Sequence, residues 1–115
     1  MTVLRIVPNL NAPDPAALAG FWHWVLGPAP VMDHGWFVTL AGGTQTAQLS
    51  LAAEGGAGTP VPVLSVEVDD LDACHARAVA EGAPIIHGPV TEDWGVRRFL
   101  LRDPAGNLVN ILSHD

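Results

Sequence analysis

The sequence predicts an α+β fold of two βαβββ modules, whose strands form a cup-shaped mixed sheet with the helices on its outer face. Three features of the chain predict it. The order strand, Asp-capped helix, Gly stop and short strands occurs twice along the 115 residues. A Gly-rich run without periodicity, EGGAGTP at residues 54–60, separates the two copies and reads as a flexible link. The second copy closes on a hairpin, Arg97 to Arg102 and Leu108 to Ser113, joined through DPAGN. Modules of roughly 55 residues are too small to fold comfortably alone. The expectation is therefore a single domain over 1–115, with module 1 at about 1–53 and module 2 at about 61–115.

In module 1, Val3 to Leu10 alternates as a strand, with Leu4, Ile6 and Leu10 on one face and Arg5, Val7 and Asn9 on the other. Asp14-Pro15 starts a helix, because Asp caps the free backbone N–H groups and Pro has none to lose in the first turn. Leu18, Phe21, Trp22, Val25 and Leu26 then form an apolar stripe that ends at Gly27-Pro28. Trp36 to Leu40 and Thr46 to Leu51 read as strands joined through Gly42-Gly43.

In module 2, Val61 to Val68 is a strand and Asp69-Asp70 caps a helix with Leu71, Cys74 and Ala78 on one face. Gly82 stops that helix before Pro84, and Ile85 to Val90 leads to the hairpin. In the hairpin turn, Asp103 caps its own backbone, Pro104 presets φ, and Gly106 takes the left-handed position. On the last strand Val109 and Ile111 share one face. Leu108, Asn110 and Leu112 share the other, which leaves Asn110 as an amide on an apolar face.

Composition narrows the function classes. A net charge of −7, from twelve acids and five bases, argues against nucleic acid, since phosphate binding needs a basic footprint. No apolar run approaches the ~18 residues of a membrane span, so no membrane partner is expected. A single cysteine, Cys74, cannot make an intrachain bridge and reads as a small apolar helix residue. These readings place the protein in the cytoplasm. The five histidines, His23, His34, His75, His87 and His114, show no metal-ligand spacing.

Several residue patterns together resemble the vicinal oxygen chelate superfamily, which includes glyoxalase I, extradiol dioxygenases and the bleomycin and fosfomycin resistance proteins. They are the doubled βαβββ order, the D-(x)6-F-W-(x)3-L-G segment from Asp14 to Gly27, the strand end VEVDDLD, and WGVRRFLLRDPAGN. The resemblance implies four metal-ligand positions, and in this chain they fall on Val7, Gln48, Val63 and Asn110. Two valines and two neutral amides make a poor divalent site, so no metal or other cofactor is expected.

The cup then reads as a recognition site for a small molecule. Gln48 and Asn110 offer paired donors and acceptors, and Glu67 offers a carboxylate. Trp36 and Trp94 offer flat rings. Of Arg97 and Arg98, which alternation sends to opposite faces, one pairs with an acid across the sheet or lines the cup while the other is solvated, and Arg98 is the ligand candidate. The run W-G-x-R-x-F-x-L-R-D-P-A-G-N is most similar to the bleomycin-resistance type, whose acidic, metal-free dimers hold a cationic, aromatic-bearing drug. That likeness implies a homodimeric, metal-independent binding protein for a cationic or aromatic ligand. The alternative is a glyoxalase-like lyase or isomerase, or a dioxygenase-related enzyme with a divalent metal. Without one, Glu67, His87 or another titratable group would act as the acid-base.

Overall fold

The computed structural model describes residues 1–42 and 47–114; Gly43 and Thr46, where sequence places a strand link and a strand start, lie outside the described residues. The fold is α+β, with two helices and one βαβββ run in each half of the chain. The chain divides into two compact units, Val7–Val61 and Met1–Ile6 with Pro62–Asp115. Strand β1, Val3–Asn11, contributes its start to the second unit and its end to the first. No described helix is long and apolar enough to cross a membrane.

In the first unit, α1 spans Pro15–Leu26 and is followed by β2 (Ala29–Asp33), β3 (Phe37–Ala41) and β4 (Gln48–Ala52). Asp14 Oδ1 accepts from the Ala17 N–H at 3.2 Å, and Gly27, at φ 93°, donates its N–H to the His23 carbonyl. The cap and stop therefore fall where the sequence puts them. The strands lie in the order β2-β3-β4-β1, with β4 parallel to β1 and antiparallel to β3. Val38, Leu40 and Leu51 pack against Ala12 and Ala19, with Leu18 and Trp22 at the margin.

The expected apolar stripe of α1 is only partly buried. Leu18 and Trp22 reach the core, while Phe21, Val25 and Leu26 are exposed. Periodicity identified an apolar helix, but the sheet under it is narrow enough to cover only one side. Leu4, Ile6 and Leu10 of β1 are likewise exposed. Strand β2, which the sequence did not single out, is an exposed edge with a bulge between Pro30 and Met32. Pro30, with Pro28 just before the strand, obscures the strand pattern and also blunts the edge against further pairing.

The second unit contains β5 (Leu64–Val68), α2 (Leu71–Ala80), β6 (Ile85–Thr91), β7 (Arg97–Arg102) and β8 (Leu108–Ser113). Its strands run β5-β8-β7-β6, the same connectivity as in the first unit. Strand β5 begins at Leu64 and not at the expected Val61, because Pro60 and Pro62 cannot donate to a ladder. Asp70 Oδ1 caps α2 by accepting from Ala73 N–H at 3.0 Å. Phe99, Val68, Leu71 and Ile111 form the core, with Cys74 and Ala78 of α2 packed on it. Burial raises the Cys74 thiol pKa, which suits its role as a small apolar residue.

The hairpin turn is built around Asp103. Its Oδ1 accepts from the N–H groups of Ala105 at 3.0 Å and Asn107 at 2.9 Å, and Gly106 sits at φ 85°. The Asn107 side-chain amide, donating to Oδ2 at 2.9 Å, is foremost in holding the Asp103 carboxyl below the usual range, and the backbone bonds add to it. Residues 54–60, expected to be flexible, instead form a hydrogen-bonded loop in which Gly55 N–H donates to Thr59 O at 2.8 Å and Thr59 N–H donates to Gly56 O at 2.9 Å. Gly55 is buried, and a Cβ there would collide with the Pro60 carbonyl and Thr59 Oγ1. Glycine at this position provides close backbone approach, a role composition cannot distinguish from flexibility.

Candidate ligand site

On the second unit's sheet, Phe99, Val109 and Ile111 face α2, so their alternates face away from it. The antiparallel and parallel registers align His87, Leu100, Asn110 and Ser65 across four strands on that opposite face. The next row is Val90, Arg98, Leu112 and Glu67. The expected outlier on β8 is thus real. Asn110 is 8 % exposed, donates its Nδ2–H to Ser65 Oγ at 3.1 Å, and has a buried Oδ1 with no hydrogen-bond partner among the described residues.

Arg98 is the arginine that faces inward. It is 2 % exposed; its Nε and terminal nitrogen both reach Glu92 Oε2, at 3.0 and 2.8 Å, and its guanidinium lies 5.0 Å from the centroid of the Trp94 ring. Burial pushes the guanidinium pKa down, and the Glu92 carboxylate opposes that shift. His87 Nε2 stands 3.4 Å from the same Glu92 Oε2 without making a hydrogen bond. Arg97, on the other side of the strand, pairs with Asp72 of α2 at 2.7 Å.

Glu67 is engaged at both oxygens. Arg5 Nε reaches Oε1 at 2.7 Å, and His114 Nδ1 reaches Oε2 at 2.6 Å. Burial alone would raise the Glu67 pKa, but the hydrogen bonds from His114 and Arg5 outweigh it and hold the carboxyl below its usual range.

The first unit's face away from α1 carries no ion pair among the described residues. Thr39 and Ser50 share a buried hydrogen bond of 2.9 Å, and Val7 and Asn9 are buried beside them on β1. Gln48, half-buried, opens β4 opposite Ala41 and lines a cavity of ≈ 850 Å³ with Leu26, Pro28, Leu40 and Leu49. Trp36 lies at the other end of the β3–β4 ladder, stacked near His34 at 6.3 Å and tilted against Phe37 at 5.5 Å. The four residue steps from Phe37 to Ala41 span about 13 Å and Trp36 lies one step beyond, so Trp36 and Gln48 stand at opposite ends of the ladder.

Of the predicted site residues, the structure brings Trp94 and Arg98 into contact and sets Asn110 and Glu67 in adjacent rows. Sequence reasoning missed Glu92, Arg5 and Ser65 as partners. The available signal was the alternation that put Arg98 on the same side as Leu100, since a buried guanidinium requires a nearby carboxylate.

The register also refines the metal-ligand positions. Asn9 and Ser65 each lie five residues before the helix-capping Asp, and they pair with Ser50 and Asn110. Ser50, not Gln48, is therefore the internal counterpart of Asn110. At the corresponding positions the first unit offers Val7 with Ser50, or with Gln48 two residues earlier, and the second offers Val63 with Asn110, a set without the carboxylates and imidazoles that divalent ions favour. Among the described residues no group of three His, Cys, Asp or Glu is placed to hold a metal ion.

The model of the Glyoxalase/Bleomycin resistance protein/Dioxygenase superfamily matches residues 3–111. The chain belongs to that superfamily. Members of the same fold support the architecture. A Legionella pneumophila structure described as an NAD-dependent benzaldehyde dehydrogenase aligns with TM-score 0.77 at 21 % identity, covering 96 % of this chain and 99 % of its own. Methylmalonyl-CoA epimerase from Mycobacterium tuberculosis aligns at 0.67 and 16 %, covering 98 % and 87 %. A glyoxalase/bleomycin resistance protein/dioxygenase superfamily member from Vibrio splendidus 12B01 aligns at 0.65 and 20 %, covering 97 % and 98 %. At these identities the likeness is one of fold. A search of curated proteins finds no significant sequence match.

Proposed function

We propose that this superfamily member is a metal-independent small-molecule-binding protein of the bleomycin-resistance kind, taking a neutral or cationic ligand that presents an N–H or O–H donor. The observation that carries the proposal is the Asn110 amide, fixed through Nδ2 by Ser65 and leaving a buried acceptor oxygen without a donor. A buried polar atom without a partner costs about 1–3 kcal/mol, and a donor on a ligand removes that cost. A carbonyl oxygen favours a cationic N–H over a neutral one, in keeping with a chain of net charge −7. Arg98 is occupied by Glu92, so its role is to hold Trp94 and the turn before β7, not to attract an anion.

Tryptophan fluorescence during titration with a bleomycin-type cationic glycopeptide tests this reading. A saturable change is expected, weakened about 5- to 100-fold in Asn110→Leu, which keeps the shape and removes the acceptor. Absence of any response to cationic aromatic ligands counts against it. Stoichiometric nickel, zinc or iron in the purified protein together with glyoxalase turnover overturns it in favour of the lyase alternative.

A further inference from the structure

We propose that His87 is the second recognition point of the ligand site, a step that rests on the binding reading of Asn110, and that the ligand carries two cationic N–H donors joined by an apolar spacer. Two buried atoms on the second unit's face away from α2 have no hydrogen-bond partner among the described residues, Asn110 Oδ1 and His87 Nε2. They belong to one row, because His87 pairs with Leu100 and Leu100 with Asn110.

Strand β6 is built to bring His87 to that face. Ile85 and His87 are two residues apart and would share a face in an unbroken strand. Ile85 instead packs on the core that α2 covers while His87 opposes Leu100, and a register shift between them produces the difference. A second shift follows between His87 and Val90. Bulges re-aim side chains in this way. Gly88, next to the histidine, sits at φ 77°, and a Cβ there would collide with the Arg98 carbonyl oxygen and the Val90 nitrogen. The close approach of β6 to β7 beside His87 therefore requires glycine.

The surroundings select the ligand chemistry. Neutral imidazole with its proton on Nδ1 offers a lone pair at Nε2. Glu92 Oε2 lies 3.4 Å away in a geometry that makes no hydrogen bond, so a positively charged donor at Nε2 also meets a carboxylate. Arg98 already holds that carboxylate, and the lone pair rather than an unpaired charge supplies the contact. At the other end Asn110 Oδ1 is an acceptor on an amide fixed by Ser65. Strands lie about 4.8 Å apart, so the two backbones are roughly 10 Å apart and the ligand's nitrogens no further. Leu100 between them is fully buried, so the linking segment is apolar and displaces what now covers that side chain.

Calorimetric titration of the full chain with α,ω-diaminoalkanes of increasing length tests the proposal, with the matching monoamines as one-ended probes. In wild type, affinity is expected to peak at an intermediate length and there to exceed the monoamine about tenfold. His87→Phe keeps a flat ring and removes the nitrogens; it is expected to erase that advantage and leave monoamine binding and the far-UV circular dichroism unchanged. Asn110→Leu is expected to weaken both kinds of amine. Lowering the pH from about 8 to about 5, where imidazole side chains take up a proton, is expected to remove the diamine advantage in wild type. Glu92 and Arg98 beside the ring, and Glu67 with Arg5 and His114 in the next row, are unaltered in His87→Phe, so any pH effect of theirs is seen there too. Diamines no better than monoamines at every length, or His87→Phe that keeps the advantage, overturn the role of His87 and leave that of Asn110 standing. An advantage that grows on acidification overturns the cationic assignment. Failure of every amine while a bleomycin-type glycopeptide still responds overturns this proposal alone, whereas no response to either, or monoamine binding that Asn110→Leu does not weaken, overturns the Asn110 reading with it.

Discussion

The two units share one connectivity and differ in how their sheets treat charge. All five arginines lie in the second unit, and on its face away from α2 two buried or half-buried carboxylates, Glu92 and Glu67, each hold an arginine. The corresponding face of the first unit relies on a neutral hydroxyl pair, Thr39 with Ser50, among small and apolar neighbours. The same backbone pattern thus tolerates either chemistry, provided each polar group is satisfied. Asn110 Oδ1 and His87 Nε2, aligned on the second unit's face, depart from that rule among the described residues, and of the two Asn110 is the one whose other amide atom is already fixed by a neighbour.

The largest expected effect follows from the buried pair. Arg98→Ala strands Glu92, itself 9 % exposed, and is expected to cost about 3–5 kcal/mol in urea unfolding. The double variant Arg98→Leu with Glu92→Leu is expected to recover most of that loss, since two apolar side chains leave no charge uncompensated. If the single and double variants are equally unstable, the pair is not what holds β7 to its preceding turn.

A smaller effect is expected at Glu67, and it depends on pH. Its folded pKa lies below the unfolded value, so its contribution is complete above the ordinary glutamate range and is lost as pH falls through the folded pKa. Glu67→Gln is expected to cost about 1 kcal/mol near neutrality, a figure held down by the solvent that reaches the cluster. The difference from wild type is expected to shrink as the solution is acidified below about pH 4, where the unfolded carboxyl also protonates. A gap that stays constant down to pH 2 contradicts the pairing with Arg5 and His114.

Much of the fold could be read from the sequence because its signals are local. Asp14, Asp70, Gly27 and Gly82 fix helix ends through groups within four residues, and Asp103 with Gly106 fixes the hairpin through its own backbone. Burial was harder to read, because it depends on what covers a surface. Phe21 and Val25 have the spacing of core residues, but the chain supplies no second layer over them. The site was legible to the extent that alternation reports faces, which isolated Asn110 and allowed one inward arginine. Register was not legible: pairing Asn110 with Ser65, and Ser50 with Asn9, depends on strands 41 or more residues apart coming together. For the same reason the sequence could not say how Gln48 and Trp36 lie relative to each other, which the ladder places at its two ends.

Next in size is the first unit's hydroxyl pair. Thr39→Val alone leaves Ser50 Oγ buried without its partner and is expected to cost about 1 kcal/mol. Adding Ser50→Ala is expected to return stability close to wild type, because no donor or acceptor is then left unmet. Comparing this cycle with the one at Arg98 and Glu92 measures directly how much more a charged pair raises the cost of a missing partner. Equal single-variant costs in the two units would remove the contrast.

The smallest effect is expected at Arg97, one residue from the largest. Its pair with Asp72 is short, 2.7 Å, but Asp72 is 77 % exposed. Water competes for both partners, and ordering the long side chain offsets what attraction remains, so Arg97→Ala is expected to change stability by no more than about 0.5 kcal/mol. The effect should also vanish in 1 M salt, where screening extends over only about 3 Å, whereas the Arg98 effect should persist. Adjacent arginines on one strand then differ in energetic effect several-fold for one reason: alternation turns one toward water and the other into the sheet. If Arg97→Ala destabilises as much as Arg98→Ala, burial is not what separates them.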